Sequence, residues 1–534
     1  MSRTPRVHPK GLYLLFFTEM WERFGYYLML GILFLYMIGG IDGGGLGLDE
    51  GSAHDIYGTY IALVYLTPFV GGLLADRVFG YRRTIIFGGA TMAAGYLTLA
   101  IPGPTAFYLA LGLVIVGNGF FKPNISTLLG NLYNKPEYVK LKDRGYNIFY
   151  MGINIGAFVC NFVAAWLRNE YGWGYAFAAA GVGMLIGLAI FISGKSTLEE
   201  ADQLKPVQKE DMPLSRIYTT IFIPVLAFAV LGYFVAGLFG AQDLLGSKSN
   251  DVFLFACIPV VYYYLGLYLK ASVEDKRSIG SLLYIFGVVI VFWAIFHQNG
   301  NVLTAWAERF TDREVPAAMT GMVQAIGADQ VVAMPGAGET ADVYLENLEE
   351  AAMPQEGSPL VLVSTEIFQS LNPFFVVLLT PLILVLWGFL AKRDREPSTP
   401  AKIALGLFIT GLSTLVMIMA VKASGNGAMK VSAWWLVSTY AVITFGELCL
   451  SPMGLSLVSK LSPPRLTALM MGGWFMSTAI GNKLSGVLGH MGSDSDDKAL
   501  VFYLNFAGAM ASALLLYLAV RTIRNVMVEK TGHA

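Results

Sequence analysis

Charge is scarce in this chain. Asp, Glu, Lys and Arg make up 14% of its 534 residues, against about 25% in soluble globular domains, while hydrophobic residues reach 55%. That shortage excludes a soluble domain and makes each ionisable residue inside an apolar run informative. Cysteine is scarcer still. Cys160, Cys257 and Cys449 all fall in apolar segments, which excludes a disulfide framework and offers no metal-ligand spacing. The motifs of covalent and nucleotide chemistry are also missing: there is no G-x-S-x-G, no H-E-x-x-H and no P-loop, so neither an intramembrane enzyme nor ATP coupling has a basis. A formal net charge of -1 implies no nucleic-acid partner. No cofactor or metal is expected, and the remaining energy source is an ion gradient.

What the chain has is long hydrophobic sequence. Fourteen segments stand at 12–38, 56–78, 84–101, 106–132, 146–167, 174–193, 217–239, 252–269, 281–307, 360–390, 403–422, 433–460, 466–488 and 500–523, each near the roughly 20 residues a spanning helix needs. The even number places both termini on one side. Basic clusters recur at alternate loops: Arg3/Arg6/Lys10, Arg77/Arg82/Arg83, Lys135/Lys140/Lys142/Arg144, Lys195/Lys205/Lys209/Arg216, Lys270/Lys276/Arg277, Lys392/Arg393/Arg395/Lys402, Lys460/Arg465 and Arg521/Arg524/Lys530. Under the positive-inside rule those loops and both termini are cytoplasmic. The expectation is an integral multi-pass protein of the plasma (cell inner) membrane, in contact with the lipid bilayer. No short apolar region with an A-x-A-like site opens the chain, so the first helix is expected to be retained.

The segments group as an N-terminal six-helix bundle (1–194), a cytoplasmic linker with an accessory helix pair (195–278) and a C-terminal six-helix bundle (279–534). A long extracytoplasmic loop, 310–359, is acidic through Asp312, Glu314, Asp329, Glu339, Asp342, Glu346, Glu349, Glu350 and Glu356. Its residues 340–352 are expected to form a short surface helix, and no chemistry is assigned to it. Two six-helix blocks suggest a two-halved transporter with its substrate at the midplane between them.

Polar residues inside the apolar segments carry the functional reading. Glu19, Glu22 and Arg23, followed by Tyr26 and Tyr27 in E-M-W-E-R-F-G-Y-Y, share one helical stripe. An ionisable group at the bilayer centre costs roughly 2.5 to 3.5 kcal/mol even on insertion scales, so these need mutual pairing or a water-filled cavity. Lys122 lies deep in G-N-G-F-F-K-P-N and needs an anionic neighbour, unless it snorkels to the interface. Glu447, in F-G-E-L-C-L-S-P, is the main anion of the second half. Asn147, Tyr150 and Asn154, then Trp474, Ser477, Thr478, Gly481 and Asn482, form stripes that either line a cavity or bond neighbouring helices; Asn372, before Pro373, reads the same way. His297, in F-W-A-I-F-H-Q, is either a packing residue or a proton carrier titrating in the physiological range. His8, His54, His490 and His533 fall in tails or near helix ends. Arg23 and Lys122 lower the pKa of a nearby carboxylate, so protonation can break such a pair.

These motifs together resemble the proton-dependent oligopeptide transporter family, a branch of the major facilitator superfamily. The resemblance rests on E-M-W-E-R-F-G-Y-Y at 19–27, G-G-L-L-A-D-R-V-F-G-Y-R-R at 71–83, G-N-G-F-F-K-P-N at 117–124 and F-Y-M-G-I-N-I-G at 149–156. The second is similar to the superfamily's cytoplasmic loop motif, with Asp76 and Arg77 as gating residues. The resemblance implies an all-α polytopic fold of two six-helix bundles, with an extra two-helix hairpin as in bacterial members. It further implies that Arg23 and Lys122 attract a peptide carboxylate and that Glu447 holds its ammonium. Asn154 and Asn372 would read the amino end and backbone, Tyr26, Tyr27 and Tyr65 would supply hydroxyls and walls, and Trp474, with Ser477 on the same stripe, would close a side-chain pocket.

Two positions depart from the family pattern. An acid is common where His297 stands, and some animal members carry a histidine where this chain has Gly58. The expected proton-coupling set is therefore Glu19, Glu22, Arg23, Lys122 and His297. The function expected is proton-coupled import of di- and tripeptides by alternating access, without enzyme activity. A same-fold carrier of nitrate or another small anion, which Glu447 would repel, and a non-transporting peptide receptor are the alternatives.

Overall fold

The computed structural model describes residues 8–135, 137–138, 141–202, 213–334, 341–348, 352–355, 358–463 and 466–531. Arg3, Arg6, Lys140, Lys205, Lys209 and Arg465 of the basic loops, Glu339, Glu349, Glu350 and Glu356 of the acidic loop, and His533 lie outside the described residues.

Long helices follow the apolar segments. They are α1 (Lys10–Ile38), α2 (Glu50–Leu74), α3 (Tyr81–Leu99), α4 (Pro104–Leu132), α5 (Lys142–Tyr171) and α6 (Trp173–Ser193). After them a turn, α7 (Leu214–Ile217), leads through a wide π-type turn into α8 (Ile223–Leu238), and α9 (Lys248–Lys270) returns beside it. The chain continues through α10 (Val273–Phe296), α11 (Val302–Arg309) and α12 (Ala317–Ala325). The last five are α13 (Leu371–Ala391), α14 (Thr399–Ala423), α15 (Trp434–Leu461), α16 (Thr467–Ser493) and α17 (Leu500–Thr531).

Among the described residues eleven helical stretches are long and apolar enough to cross a membrane. Helices α1, α3 and α16 are not among them: α1 carries Glu19, Glu22 and Arg23, α3 carries Arg82 and Arg83, and α16 carries Asn482, Lys483 and several glycines. They pack lengthwise in the same layer, α1 on α5 and α6, α3 on α4 and α6, and α16 on α2 and α10.

Local chemistry sets the helix ends. Asp49 caps α2 by accepting from the Ser52 amide at 2.8 Å, which satisfies an otherwise orphaned donor. The hydrogen bond holds the Asp49 carboxyl below the usual range. Ser247 and Ser272 cap α9 and α10 in the same way. Gly172, with φ 93°, allows α5 to turn into α6 in one residue, a conformation costly for a side chain bearing a Cβ.

Two helix groups face each other. In the first, α1 packs on α5 and α6, α2 on α4, and α3 on α4 and α6; in the second, α10 packs on α16 and α17, α14 on α15 and α17, and α13 on α15. The accessory helices α8 and α9 pack chiefly on each other. The groups meet along α2 with α16 and α5 with α13. A Cβ added to Gly58 would lie 2.8 Å from Gly486 Cα, so the glycine that occupies the early α2 position permits helix contact there.

Three expectations need correction. Helix α10 ends at Phe296, and a 3₁₀ turn at His297–Gly300 separates it from α11, because Asn299, Gly300 and Asn301 are weak helix formers and the Asn301 side chain accepts from the Val302 amide at 2.7 Å. Residues Leu360–Val363 form a strand instead of opening a helix. The long loop is folded. In addition to α12, it pairs the strand Asp329–Val332 antiparallel with Leu360–Val363 around Val332, Tyr344, Leu345 and Leu362. Of the expected 340–352 helix, residues 340 and 349–351 lie outside the described residues, and Val343–Asn347 form a 3₁₀ turn.

Candidate functional site

A cavity of 260 Å³ lies between the two groups. The first group contributes Tyr26, Tyr27, Tyr57, Tyr65, Tyr150, Asn154 and Asn161; the second contributes Trp293, His297, Asn299, Gln369, Asn372, Tyr440, Glu447 and Ser451. Apolar side chains such as Leu30, Ile61, Phe296 and Val376 fill the wall between them. Aromatic and apolar walls that carry placed polar groups are the usual character of a small-molecule site.

Among the described residues Glu447 is the lone carboxylate on that wall. Asn372 Nδ2 donates to Glu447 Oε2 at 2.9 Å and to Thr444 Oγ1 at 2.9 Å, which fixes the amide and leaves the other carboxylate oxygen outside this pair. Asn154 lines the cavity while its Nδ2 donates to the Tyr150 carbonyl one turn back at 2.9 Å. His297 Nδ1 is 3.2 Å from the Trp293 carbonyl. A carbonyl only accepts, so Nδ1 carries a proton there. Its ring stands 5.4 Å from that of Tyr65 and 5.5 Å from that of Trp293.

The charges of α1 lie behind this wall. Arg23 Nε donates to Glu19 Oε1 at 3.0 Å and is also ion-paired with Glu22. All three are at most 3% exposed. The i, i+3 and i+4 spacing places them on one stripe, as the sequence implied. Arg23 Cζ sits 5.4 Å from the Tyr26 ring and Lys122 Nζ 4.1 Å from the Tyr65 ring. Tyr26, Tyr27 and Tyr65 line the cavity, whereas Glu19, Glu22, Arg23 and Lys122 do not.

Two expected wall residues stand elsewhere. Trp474 is 2% exposed, packs 6.4 Å from the Trp293 ring and occupies the space a Cβ on Gly454 would need. Ser477 Oγ donates to the Gly473 carbonyl at 3.1 Å, one turn back on α16. Glycines explain the orientation: Gly481 brings this face of α16 against Trp293 and the α10 backbone, and Gly486 brings the helix against α2. Outside the cavity, Asp76 and Arg77 sit in the π-type turn Ala75–Phe79 that ends α2, where Tyr81 donates to Asp76 Oδ1 at 2.6 Å. Nearby, Arg82 Nε donates to Asp202 Oδ2 at 2.7 Å, tying the turn to the segment after α6.

The sequence reading missed several wall residues. Tyr57 and Ile61 were missed although they recur every four residues with the expected Tyr65 on α2, and Tyr440 and Ser451 although they follow i, i+7, i+11 with the expected Glu447 on α15, so helical spacing was the available signal. Gln369 stands in a 3₁₀ turn and had no such signal.

The two groups are bridged at the end where α1 gives way to α2. Gln369 Nε2 donates to the Gly31 carbonyl at 3.0 Å and Asn161 Nδ2 to Ser370 Oγ at 3.0 Å. Arg168 pairs with Glu366 at 3.2 Å, Arg309 with Glu50 at 3.3 Å and Lys483 with Asp55 at 2.5 Å. The folded loop joins in, since Asn169 Nδ2 donates to the Asp329 carbonyl at 2.6 Å.

Two facing groups of spanning helices around a shared polar cavity define a membrane transporter of the major facilitator type. The chain belongs to the POT family, whose profile (PTR2) matches residues 82–328 and 359–503. It is similar to "Uncharacterized transporter YclF" of Bacillus subtilis (strain 168), at 36% identity over 88% of this chain and 86% of that one. It is also similar to "Di-/tripeptide transporter" of Lactococcus lactis subsp. lactis (strain IL1403), at 32% identity over 88% and 86%. A solved "peptide transporter POT in complex with sulfate" superposes with a TM-score of 0.79 at 32% identity, covering 98% of this chain and 97% of the other.

Proposed function

We propose that this protein imports di- and tripeptides together with protons by alternating access. The observation that carries the reading is the placement of Glu447 in a cavity of limited size, opposite tyrosines backed by Arg23 and Lys122. A short peptide carries an ammonium and a carboxylate a limited distance apart, and this cavity has an anion on one side and cations behind the other. Glu447 receives the ammonium, with Asn372 and Asn154 reading the amino end and backbone. Movement of the tyrosine wall exposes Arg23 and Lys122 to the carboxylate. Relatives named as di-/tripeptide transporters support the substrate class.

Glu19 and Glu22 are the proton carriers in this reading, because protonating either one weakens its pairing with Arg23. His297 has a ring nitrogen beyond the one facing Trp293 and is a further carrier. Asp76 and Arg77 gate the end opposite the bridges. The basic loops support cytoplasmic termini and residence in the plasma (cell inner) membrane. Glu447 repels nitrate and other small anions, which disfavours the anion-carrier alternative.

The test is uptake of a labelled dipeptide into proteoliposomes with and without an inward proton gradient. The expected result is gradient-dependent accumulation, blocked by tripeptides and unaffected by free amino acids or nitrate. Specific binding without accumulation, or competition by nitrate, would overturn the reading.

A further inference from the structure

A second cavity, of 600 Å³, lies among α2, α8, α9 and α16. Leu63 and Val70 of α2, Val225 of α8, Phe253 of α9 and Phe475 and Met476 of α16 line it. An apolar cavity of about 150 Å³ stays dry and takes up benzene; this one is about four times that size. Four hydroxyls on its wall already donate to protein acceptors. Thr59 Oγ1 reaches the Asp55 carbonyl at 2.8 Å, Thr67 Oγ1 the Ile115 carbonyl at 3.0 Å, Ser249 Oγ the Asp55 Oδ2 at 2.6 Å and Tyr264 Oη the Leu469 carbonyl at 2.7 Å. A buried water needs about two to four polar partners, so a wall with these hydroxyls turned to protein favours an apolar occupant.

Length and position suit a chain from the bilayer. On α9 the lining residues run from Lys248 to Tyr264, about 24 Å along the helix axis at 1.5 Å per residue, most of the roughly 30 Å hydrocarbon core. Leu63, Val70, Val225 and Phe253 are only half-buried. Of the apolar stretch of each accessory span 11% is buried, against 44% for α2, so the cavity adjoins the lipid. Its bridged end carries a charge. Lys248, the first residue of α9, is the one charged group on the wall among the described residues. Its ammonium stands 4.5 Å from the Tyr233 ring and has no carboxylate partner among the described residues. The neighbouring carboxylates are held elsewhere, Asp55 by Lys483 and Ser249 and Asp251 by the Leu244 amide at 2.8 Å.

We propose that this cavity holds one acyl chain of an anionic phospholipid, with the headgroup phosphate on Lys248. The apolar slot takes the chain, and a lysine without a carboxylate partner at its bridged end takes the negative charge. The accessory pair, to which the transport reading gives no part, thus supplies the headgroup contact and one wall of a lipid site. Tyr65 lies on this wall and on that of the substrate cavity. The chain therefore packs behind a ring that also stands against Lys122.

The test needs no transport, so it stands apart from the peptide-import reading. The full-length protein is placed in vesicles of equal parts phosphatidylcholine and phosphatidylglycerol, one of the two carrying a photoreactive diazirine on its acyl chain, and the crosslinked residues are mapped by mass spectrometry. Phosphatidylglycerol is expected to label Leu63, Val70, Phe253 and Cys257 several times more densely than Leu384 and Val385 on the open face of α13, which are 65% and 72% exposed. It should label the cavity about fivefold more than phosphatidylcholine does, the effect of one lysine beside an anionic headgroup. Lys248→Gln should erase that preference, and Ala256→Trp, which fills the cavity, should bring both lipids down to the density on α13. Should a variant fail to fold, the wild-type comparisons of the two lipids and of the cavity with α13 decide the matter alone. Labels as dense on α13 as in the cavity would overturn the site. Equal labelling of the cavity by the two lipids would make it a general apolar pocket and overturn the assignment of an anionic headgroup to Lys248.

Discussion

The two helix groups carry their charge in opposite ways. On α1, Glu19, Glu22 and Arg23 are packed into one buried ion-paired cluster, screened from the cavity by Tyr26 and Tyr65. On α15, Glu447 stands on the cavity wall with a neutral amide as its partner. Paired charge can be switched by a proton without a ligand, because neutralising one member releases the other. A carboxylate bonded only to an amide still needs a cation. The first arrangement suits energy coupling and the second suits recognition of an amine, so the two functions are divided between the halves that must move against each other.

The sharpest way to break this division is to neutralise one carboxylate at a time. Glu22→Gln should abolish gradient-driven accumulation, a loss greater than about tenfold, and leave peptide counterflow intact; uptake assays in each mode distinguish the outcomes. Glu447→Gln should weaken dipeptide binding about 30-fold, for a lost charge-assisted contact of about 2 kcal/mol, in both modes. A smaller effect is expected at His297, where His297→Gln should shift the pH profile of driven uptake while binding at fixed pH stays within about threefold. Full pH-driven uptake by this variant would remove His297 from the coupling set.

Outside the membrane-spanning helices the effects are smaller. Lys430 donates to the Arg309 carbonyl at 2.8 Å beside the Tyr344 ring, and burial, with Arg313 nearby, pushes its amine down to about 8. Folding therefore disfavours its proton. The penalty is full below about 8 and is relieved as pH rises toward the ordinary lysine value of about 10.4. Thermal unfolding should show stability rising across that window from this group, and Lys430→Met should remove the contribution; an identical slope in the variant would refute it. The smallest change expected is Asp49→Ala, which should cost about 1 kcal/mol of stability through loss of the α2 cap, read from the same unfolding curves.

Much of the architecture was legible because apolar segments are separated by charges, prolines and glycines. The break at His297–Gly300 was hidden by apolar residues on both sides, and Leu360–Val363 merged with the helix that follows because short apolar runs do not distinguish strand from helix. On the cavity wall, Asn372 and Glu447 were legible as polar residues that interrupt an apolar run; Glu22 and Lys122 interrupt such runs too, but stand behind that wall. On α16, Trp474 and Ser477 form a stripe as good as any other but stand away from this cavity, because glycines on that helix turn it toward α2 and α10. Asp55, Lys483 and Ser249 went unremarked because they meet only through tertiary packing, from positions 55, 483 and 249.

The division of labour between the halves is tested most directly by comparing Glu22→Gln and Glu447→Gln in one set of proteoliposomes, measuring dipeptide counterflow and proton-driven accumulation side by side. The account predicts that Glu22→Gln keeps counterflow and loses accumulation, whereas Glu447→Gln loses both. Loss of both activities in both variants at normal reconstitution, or accumulation retained in Glu22→Gln, would contradict it.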